Sequence, residues 1–312
     1  MHRIQLSVIA FLIAVVAVVS LLYLIGYTSA FEASSASVIG ETSRESFPPI
    51  EILMVGDISF DRYIRQVSEI QGEEYIFSCF EGFLDSFDYV VANLEGPITE
   101  HASVSMGTDV GNPDNFVFTF PTTSAQVLAR HNISVVTLGN NHIANFGIEG
   151  ITSTHHFLEM SGVGYFGGVR GVESVFRRSG ISFVSYNEFG GQSPDKVAKI
   201  VADEKSKGNI VVVYAHWGDE YIDSVPRLRP IATQLVEAGA DVIVGAHPHV
   251  VLPHEYIDGV PVFYSLGNFI FDQDWNAEVR SGLAVSLTIS DGQIMVAEYP
   301  VTLEKDGRTC LK

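Results

Sequence analysis

Five short segments hold the side chains that could bind a metal ion, and each one comes where an apolar run ends. They are Gly56-Asp57, Asn93-Leu94-Glu95, Gly139-Asn140-Asn141-His142, Ala215-His216-Trp217-Gly218 and Gly245-Ala246-His247-Pro248-His249. The ends of neighbouring strands in an open α/β sheet meet in a single crevice. Together the segments predict one binuclear metal site.

Three histidines contribute most to this prediction. The i, i+2 spacing of His247 and His249 places both rings on one side of an extended backbone, with Pro248 fixing the geometry between them. Neutral imidazole is a common ligand of zinc, iron and manganese. A single histidine on an apolar face is usually a satisfied core residue. With His216, three histidines follow successive strands, and a core role does not explain that pattern.

Oxygen donors complete the predicted site. Asp57 ends the first apolar run, although alone it could equally cap a helix. Asn93 and Glu95 point the same way on an extended backbone, and Glu95 could bridge two metal ions, hold one ligand in place, or be a turn residue. Asn141 offers a neutral oxygen ligand, and the adjacent His142 can remain free of the metal and donate a proton to a leaving oxygen. An ordinary Asn-Asn turn is the alternative for that segment.

A second group of polar residues is predicted to contact the substrate or to support the ligands. Asn268 follows the last long apolar run and can approach the site from there. For Arg62 and Glu220, ion pairing at the surface is the alternative. The group consists of Asn93, Asn140, Asn268, Arg62 and Glu220.

Alternating strands and helices must position these residues. The predicted strands are Ile52–Val55, Tyr89–Ala92, Ser134–Leu138, Ile181–Tyr186, Asn209–Ala215, Asp241–Gly245 and Val260–Ser265. The predicted helices are Tyr63–Ile70, Glu74–Asp85, Thr123–His131, Glu149–Ser161, Asp195–Lys207 and Leu228–Ala238. Apolar runs such as Ile210–Val213 are typical of strands buried on both faces, and the alternation predicts βαβ units in an α/β fold with a mostly parallel sheet.

The last part of the domain differs from this alternation. Gly282–Ser290 and Gln293–Leu303 predict two strands around the tight turn Asp291-Gly292. We expect this hairpin to complete the antiparallel part of a second sheet, which would give a sandwich flanked by helices.

An uncharged apolar run of 22 residues, Leu6–Tyr27, follows a short start that contains Arg3. As a helix it spans about 33 Å, enough to cross a bilayer core of about 30 Å. The run predicts a single-pass membrane anchor over residues 1–30, with the body of the protein on the extracellular side. Thr28-Ser29-Ala30 keeps a cleaved signal peptide open as the alternative.

The remaining chain is predicted to form a linker and one domain. Residues 31–49, rich in Ser and Ala and ending in Pro48-Pro49, are typical of a tether. Residues 50–312 are sufficient for one large α/β domain. Cys79 lies in an apolar stretch that favours a buried, inert thiol, while a disulfide with Cys310 remains possible outside the cell.

The charge of the chain limits its partners. With 18 basic and 37 acidic residues, the formal net charge is −19. This charge argues against nucleic acid and against an anionic membrane surface as partners.

Several blocks of the sequence resemble the CapA family of capsule or poly-γ-glutamate synthesis proteins, which is related to the calcineurin-like metallophosphoesterases. The similarity covers nearly all of residues 50–275. In chain order the blocks are G-D-I-S-F-D, N-L-E-G-P, L-G-N-N-H-I-A-N-F-G, A-H-W-G-D-E-Y, G-A-D-V-I-V-G-A-H-P-H-V and Y-S-L-G-N-F-I-F-D.

The resemblance implies a four-layer αββα sandwich of metallophosphoesterase type with a two-metal site and His142 as the proton donor. Ser59 stands where the wider phosphoesterase pattern has a histidine, and Asn93 and Glu95 replace its Gly-Asp. One metal would therefore lack an imidazole, and Glu95 and water could take its place. The ligands that the pattern implies are Asp57, Asn141, His216, His247 and His249.

Three functional hypotheses follow. The first is an extracellular, membrane-anchored enzyme with two divalent metal ions (Mn, Fe or Zn) that acts on an anionic surface polymer in capsule or poly-γ-glutamate biosynthesis. The second is a non-catalytic, metal-stabilised scaffold or polymer-binding subunit that contacts membrane subunits of a polymer synthase. The third is a phosphoesterase that acts on another surface polymer or on a nucleotide.

Overall fold

Two β-sheets form the centre of the computed structural model, which describes residues 48–169 and 174–312. The strands are β1 (Ile50–Ile58), β2 (Tyr89–Leu94), β3 (Ile133–Thr137), β4 (Gly164–Phe166), β5 (Val175–Arg178), β6 (Ile181–Asn187), β7 (Ile210–His216), β8 (Val242–Ala246), β9 (His254–Ile257), β10 (Val260–Phe263), β11 (Asn268–Ile270), β12 (Ser281–Ser290), β13 (Gln293–Leu303) and β14 (Thr309–Leu311). The helices are α1 (Arg62–Gln71), α2 (Ser124–Arg130), α3 (Gly147–Met160), α4 (Pro194–Ser206) and α5 (Val225–Glu237). Short 3₁₀ helices cover Glu73–Phe80, Leu84–Ser86 and Pro113–Phe116.

Both sheets are mixed, with a parallel part next to the metal-binding motifs. The first sheet has the order β14-β13-β12-β1-β2-β3-β4, and β11 pairs with the end of β1. In it β1, β2, β3 and β4 are parallel, whereas β12, β13 and β14 are antiparallel to their neighbours. The second sheet has the order β5-β6-β7-β8-β10-β9, with β6, β7, β8 and β10 parallel. The prediction of an α/β fold is confirmed.

The central strands are apolar on both faces because each sheet is covered on both sides. In β1, Ile52 and Met54 face the second sheet, while Leu53 and Val55 pack with residues of α1, α2 and α3. In β7, Val212 belongs to the cluster between the sheets, and its neighbours pack against α4 and α5. Burial on both faces explains the continuous apolar runs. It also fixes the strand ends rigidly where the site residues follow.

Two of the predicted elements differ from the structure. The predicted helix Glu74–Asp85 is instead two 3₁₀ helices. Gly72, with φ 93°, ends α1 directly before this segment, and buried side chains such as Phe77 and Phe80 hold it against the core, so packing outweighs helix propensity. The predicted hairpin is present as β12 and β13, but its place in a second sheet was wrong. It extends the first sheet, because β12 pairs with β1, Ile52 opposite Leu287.

A disulfide joins Cys79 and Cys310, so the prediction of a buried free thiol was wrong. Cys79 is only partly buried, and the strand β14 brings Cys310 beside the 3₁₀ helix Glu73–Phe80. The two residues are 231 positions apart. Spacing in the sequence gave no sign of this contact, since it depends on the pairing of β13 with β14.

The predicted anchor over residues 1–30 and nearly all of the linker 31–49 lie outside the described residues. Within the described ranges, no helix has the length and apolarity needed to cross a bilayer. The domain boundaries stay a prediction.

Candidate metal centre

The predicted site residues meet where strands of both sheets end. Asp57 lies near the end of β1, beside Asn93 on β2 in the sheet register, and His216 is the last residue of β7. Two glycines allow the backbones to approach closely. A Cβ atom on Gly56 would lie 1.9 Å from the carbonyl oxygen of Gly267, and one on Gly245 would lie 2.0 Å from that of Tyr264. Side chains at these positions would force the site segments apart.

The first candidate ligand group consists of Asp57, Glu95 and His249, whose potential ligand atoms lie within 4.8 Å of one another. The Nε2 atom of His249 is 3.6 Å from Oε1 of Glu95. The backbone N–H of His247 donates to Oδ2 of Asp57 at 3.1 Å, which fixes the carboxylate against the histidine segment. All three side chains are almost completely buried.

The second candidate group consists of Glu95, His216 and His247, again within 4.8 Å. The ring centroids of His216 and His247 are 4.8 Å apart. Glu95 thus belongs to both groups.

Unpartnered polar atoms show that this set of donors fits divalent cations. Among the residues that the structure describes, neither Oε1 of Glu95 nor Nδ1 of His247 has a hydrogen-bond partner, although both atoms are buried. A buried polar atom without a partner costs free energy, and a cation would remove that cost. Carboxylates together with imidazoles are a ligand set typical of zinc, iron or manganese.

The electrostatics agree with a cation site. Burial raises the pKa of Glu95 well above its usual range, and the charge of Asp57 adds to this effect. Burial also opposes ionisation of Asp57, but hydrogen bonding and the charge of His249 outweigh it and lower the pKa to about 2. Burial lowers the pKa of His216 and, to about 3, that of His247. The imidazoles of His216 and His247 are therefore neutral, the form in which histidine binds metals.

Asn93 supports the ligands and does not present an oxygen to them. The Oδ1 atom of Asn140 accepts the backbone N–H groups of His142 and Ile143, and its Nδ2 donates to the carbonyl of Leu94 and, at 3.0 Å, to Oδ1 of Asn93. The Nδ2 group of Asn93 therefore faces the site and donates to Oδ1 of Asp57 at 2.7 Å. The two asparagines fix the orientation of the carboxylate.

Asn141 is the amide that offers oxygen to the site. Its Oδ1 atom is 2.8 Å from Nε2 of His216. Adjacent ligands of an octahedral ion are separated by about 3 Å when the metal–ligand distance is about 2.1 Å. The pair is thus spaced so that both atoms can share one ion.

The backbone of the last histidine segment is not extended as predicted. His247 has φ 97° and His249 has φ 57°, both in the left-handed region that disfavours residues with a Cβ atom. The two rings still converge, with centroids 6.0 Å apart. Strained backbone of this kind is concentrated at functional sites.

His142 lies beside the ligand groups and belongs to neither of them. Its Nε2 atom is 4.0 Å from Oε1 of Glu95, and Phe118 covers its ring at a centroid distance of 4.3 Å. The Oδ1 atom of Asn145 accepts a hydrogen bond from the backbone N–H of Phe118, which identifies it as the amide oxygen. The same oxygen lies 3.2 Å from Nδ1 of His142, so Nδ1 carries the proton and donates it to Asn145. Asn145 thus directs Nε2 into the crevice. We did not predict this residue, although it follows His142 by three positions.

Asn268 contacts His249. Its Oδ1 atom accepts from Nδ1 of His249 at 2.9 Å, which leaves Nε2 of the imidazole free on the side of Glu95. An outer hydrogen bond of this kind sets the tautomer of a metal-binding histidine.

A pocket of about 220 Å³ opens next to the ligand groups. His142 and His249 line it together with Arg62 and Glu220, the remaining two predicted residues. Arg62 forms an ion pair with Asp272 and donates to Asn115 at 3.0 Å. Its guanidinium group is also placed over Phe118 and Phe271. Its ion pair is only 12% exposed, so Arg62 is not an ordinary surface residue.

The fold and the site define an α/β sandwich protein with a candidate binuclear metal centre. Residues 51–273 match the model of the family described as "Bacterial capsule synthesis protein PGA_cap". The chain belongs to this family.

Curated relatives agree with the match. The "PGA biosynthesis protein CapA" of Bacillus subtilis is 33% identical over 256 residues, which cover 73% of this chain and 65% of that protein. The "Capsule biosynthesis protein CapA" of Bacillus anthracis is 29% identical over 284 residues, covering 82% and 68%. A "Probable polyglutamine synthesis accessory protein" of Mycobacterium tuberculosis is 27% identical over 174 residues, covering 45% and 46%. The chain spans about two thirds of the length of the two Bacillus proteins.

Proposed function

We propose that this chain is a metal-dependent hydrolase or transferase that acts on an anionic surface polymer in capsule or poly-γ-glutamate biosynthesis. The names of the two Bacillus relatives support the biosynthetic role. The four-layer arrangement of metallophosphoesterase type, with its two-metal chemistry, is part of the same proposal.

The observation that carries the proposal is the sharing of Glu95 by two ligand groups. A structural metal site is closed by its protein ligands, whereas a catalytic site leaves a position open. Each group here supplies three candidate ligands, and His249 of the first group lines a pocket. When bound, divalent cations supply a Lewis acid for a carbonyl or phosphoryl oxygen and make a water molecule more acidic.

The residues of the chain would divide the remaining tasks. Asn93 and Asn268 hold Asp57 and His249 in place through their hydrogen bonds. His142 has Nε2 directed into the crevice by Asn145, where it can transfer a proton to or from the reacting group. The crevice is buried, which excludes bulk water from the reacting atoms.

We also propose that the domain lies outside the cell, held by the apolar run Leu6–Tyr27. The disulfide between Cys79 and Cys310 supports this location, because disulfides persist mainly in oxidising compartments. Arg3 before the apolar run supports a cytoplasmic N-terminus.

The proposal is tested with the full-length chain purified in detergent. We expect about two bound metal ions per chain by elemental analysis, and turnover of either p-nitrophenyl phosphate or poly-γ-glutamate. His142→Ala should keep the metal and lose turnover by about 10²- to 10⁴-fold. His156→Ala, in α3 and away from the pocket, is the matched control and should behave as the wild type.

A scaffold or polymer-binding subunit is the second candidate function, and Ser59 is the observation that favours it. Ser59 replaces the imidazole that the resemblance leads one to expect, and its buried hydroxyl has no hydrogen-bond partner among the described residues. Retained metal without turnover of either substrate class would favour this candidate over the enzyme.

A further inference from the structure

Tyr221 lies at the mouth of the pocket and belongs to neither ligand group. Its ring stacks on His249 at a centroid distance of 5.9 Å and meets Trp275 edge-on at 5.3 Å. Its backbone N–H donates to the carbonyl of Pro248 at 2.9 Å, so the loop is tied to the histidine segment. The side chain is 42% exposed, and φ is 62°. A strained, exposed aromatic residue beside a candidate ligand is unusual enough to need an explanation.

A chain of hydrogen bonds joins the hydroxyl of Tyr221 to His249. The Nδ2 group of Asn268 donates to Oε1 of Gln273 at 3.0 Å, and Nε2 of Gln273 donates to the oxygen of Tyr221 at 2.9 Å. The bond between Asn268 and Gln273 is buried, whereas the bond to Tyr221 is partly buried.

Backbone carbonyl groups fix the direction of these hydrogen bonds. The Nδ2 group of Asn268 also lies 3.2 Å from the carbonyl of Val279 and 3.4 Å from that of His249, and a carbonyl oxygen can only accept. Asn268 must therefore donate toward Gln273, and Gln273 must donate to Tyr221. Since the oxygen of Tyr221 already accepts a proton, its own O–H is left to donate elsewhere.

Tyr221 lines two pockets, and the one that also contains residues of the candidate site is the pocket that it shares with His142 and His249. We infer that Tyr221 binds the substrate, and that its hydroxyl donates a hydrogen bond to an oxygen of the phosphoryl or acyl group held beside His249. The inference rests on the proposed function, which places that group at the ligand set. Gln273 is then a positioning residue, because it determines which way the hydroxyl proton points.

One cationic and one anionic side chain line the pocket beside Tyr221. Arg62 and Glu220 line the same pocket. Burial raises the pKa of Tyr221 above its usual range, and the charge of Glu220 and a hydrogen bond to it add to this effect. A substrate oxygen close to cations would compete with Glu220 for the Tyr221 proton. The aromatic rings of Trp275 and Phe271 provide apolar surface for the rest of the molecule.

Inorganic phosphate is the probe for the test, and its affinity for the full-length, manganese-loaded protein is measured by calorimetry. Tyr221→Phe should weaken phosphate binding about tenfold, the effect of one hydrogen bond to a charged group. Its metal content should not change, because the hydroxyl is not a ligand. Tyr256→Phe, a tyrosine in β9 that is 57% exposed, is the matched control and should leave both quantities unchanged.

Gln273→Glu tests the direction of the chain. A carboxylate can still accept from Asn268, but it would also accept the proton of Tyr221 and draw it away from the pocket. When Gln273→Glu is introduced into the wild type, we expect phosphate binding to weaken about tenfold. When it is introduced into the Tyr221→Phe variant, phosphate binding should weaken less than twofold. A merely electrostatic effect of the new charge would be equal in both backgrounds.

The outcomes separate this inference from the proposed function. A wild-type chain that binds no metal overturns both. Metal binding without phosphate binding, or with phosphate affinity unaffected by Tyr221→Phe, overturns the inference and leaves the metal centre intact.

Discussion

Glu95 is the residue common to both candidate ligand groups, so under the proposed function it would determine how many cations the crevice holds. Without cations its carboxyl group is unfavourably placed, since burial and Asp57 both raise its pKa. A protein that only needed a stable core would have little use for such a group. The position thus favours ion binding at the expense of the stability of the empty fold.

Glu95→Gln should lower the metal content from about two ions per chain to one or fewer. In the wild type, EDTA should lower the melting temperature by about 5 °C, because bound ions stabilise only the folded state. EDTA should lower the melting temperature of the variant by less than half as much. In the presence of EDTA, the melting temperature of the variant should be no lower than that of the wild type. Elemental analysis and calorimetry measure these quantities.

Glu149→Gln is the control for this prediction, since that carboxylate is 81% exposed and lies outside both ligand groups. A Glu95→Gln protein that retains two ions would contradict the bridging role.

For single residues, the candidate ligands could be predicted from the sequence, but the side chains that hydrogen-bond to them or to the pocket could not. His216, His247 and His249 were identifiable because each follows an apolar run, and the structure brings all three together. Asn145 and Gln273 were missed, since hydrogen bonds between side chains depend on the three-dimensional arrangement and leave no periodic signal.

Helix α4 is joined to the second sheet by one buried carboxylate. Glu204 accepts from both Nε and Nη2 of Arg177 on β5, from Ser182 on β6, and from Lys207. The hydrogen bonds from Arg177 hold the pKa of Glu204 well below its usual range, with further contributions from Lys207 and Ser182. The stabilisation exists only while this group is ionised.

Glu204→Gln should reduce the free energy of unfolding at pH 7 by about 2 kcal/mol, less than a fully buried pair because Arg177 and Lys207 are each 45% exposed. A lowered pKa in the folded state means that the stabilisation is present above the unfolded-state pKa and is lost as the pH falls. The difference between variant and wild type should therefore shrink below about pH 4.5.

Urea unfolding at pH 7 and pH 3.5 measures this difference. Asp203→Asn removes the other carboxylate that pairs with Lys207, and since Asp203 is 65% exposed the change should cost less than about 0.5 kcal/mol. An equal loss at both pH values would contradict the role of the ionised carboxylate.

Elements of the central sheets were predictable because burial on both faces gives long apolar runs, as in β7 and β8. The strands β4, β5, β9, β11 and β14 were missed; each has only three or four residues, too few for a pattern. The sheet to which β12 and β13 belong was also not predictable, since strand pairing over more than 200 positions is a property of the whole fold.

At the scale of the molecule, the disulfide connects two distant parts of the domain. Closing a loop of 231 positions restricts the unfolded chain by up to about 5 kcal/mol at 25 °C. The double substitution Cys79→Ser and Cys310→Ser should lower the melting temperature by about 10 °C.

Dithiothreitol should lower the melting temperature of the wild type similarly and leave the double variant unchanged. Metal content should not change in either case, because both cysteines lie outside the ligand groups. Equal melting temperatures of the oxidised and reduced wild type would show that the bond contributes no stability.

The candidate ligands come from both sheets: Asp57 lies near the end of β1, whereas His216 ends β7 and His247 follows β8. An ion bound to ligands from both sheets would hold the two sheets together at one edge. Neither layer could then open by itself, so the metal-loaded domain would lose its structure as one cooperative unit. Under the proposed function, the ions that supply chemistry in the crevice would also resist separation of the two sheets.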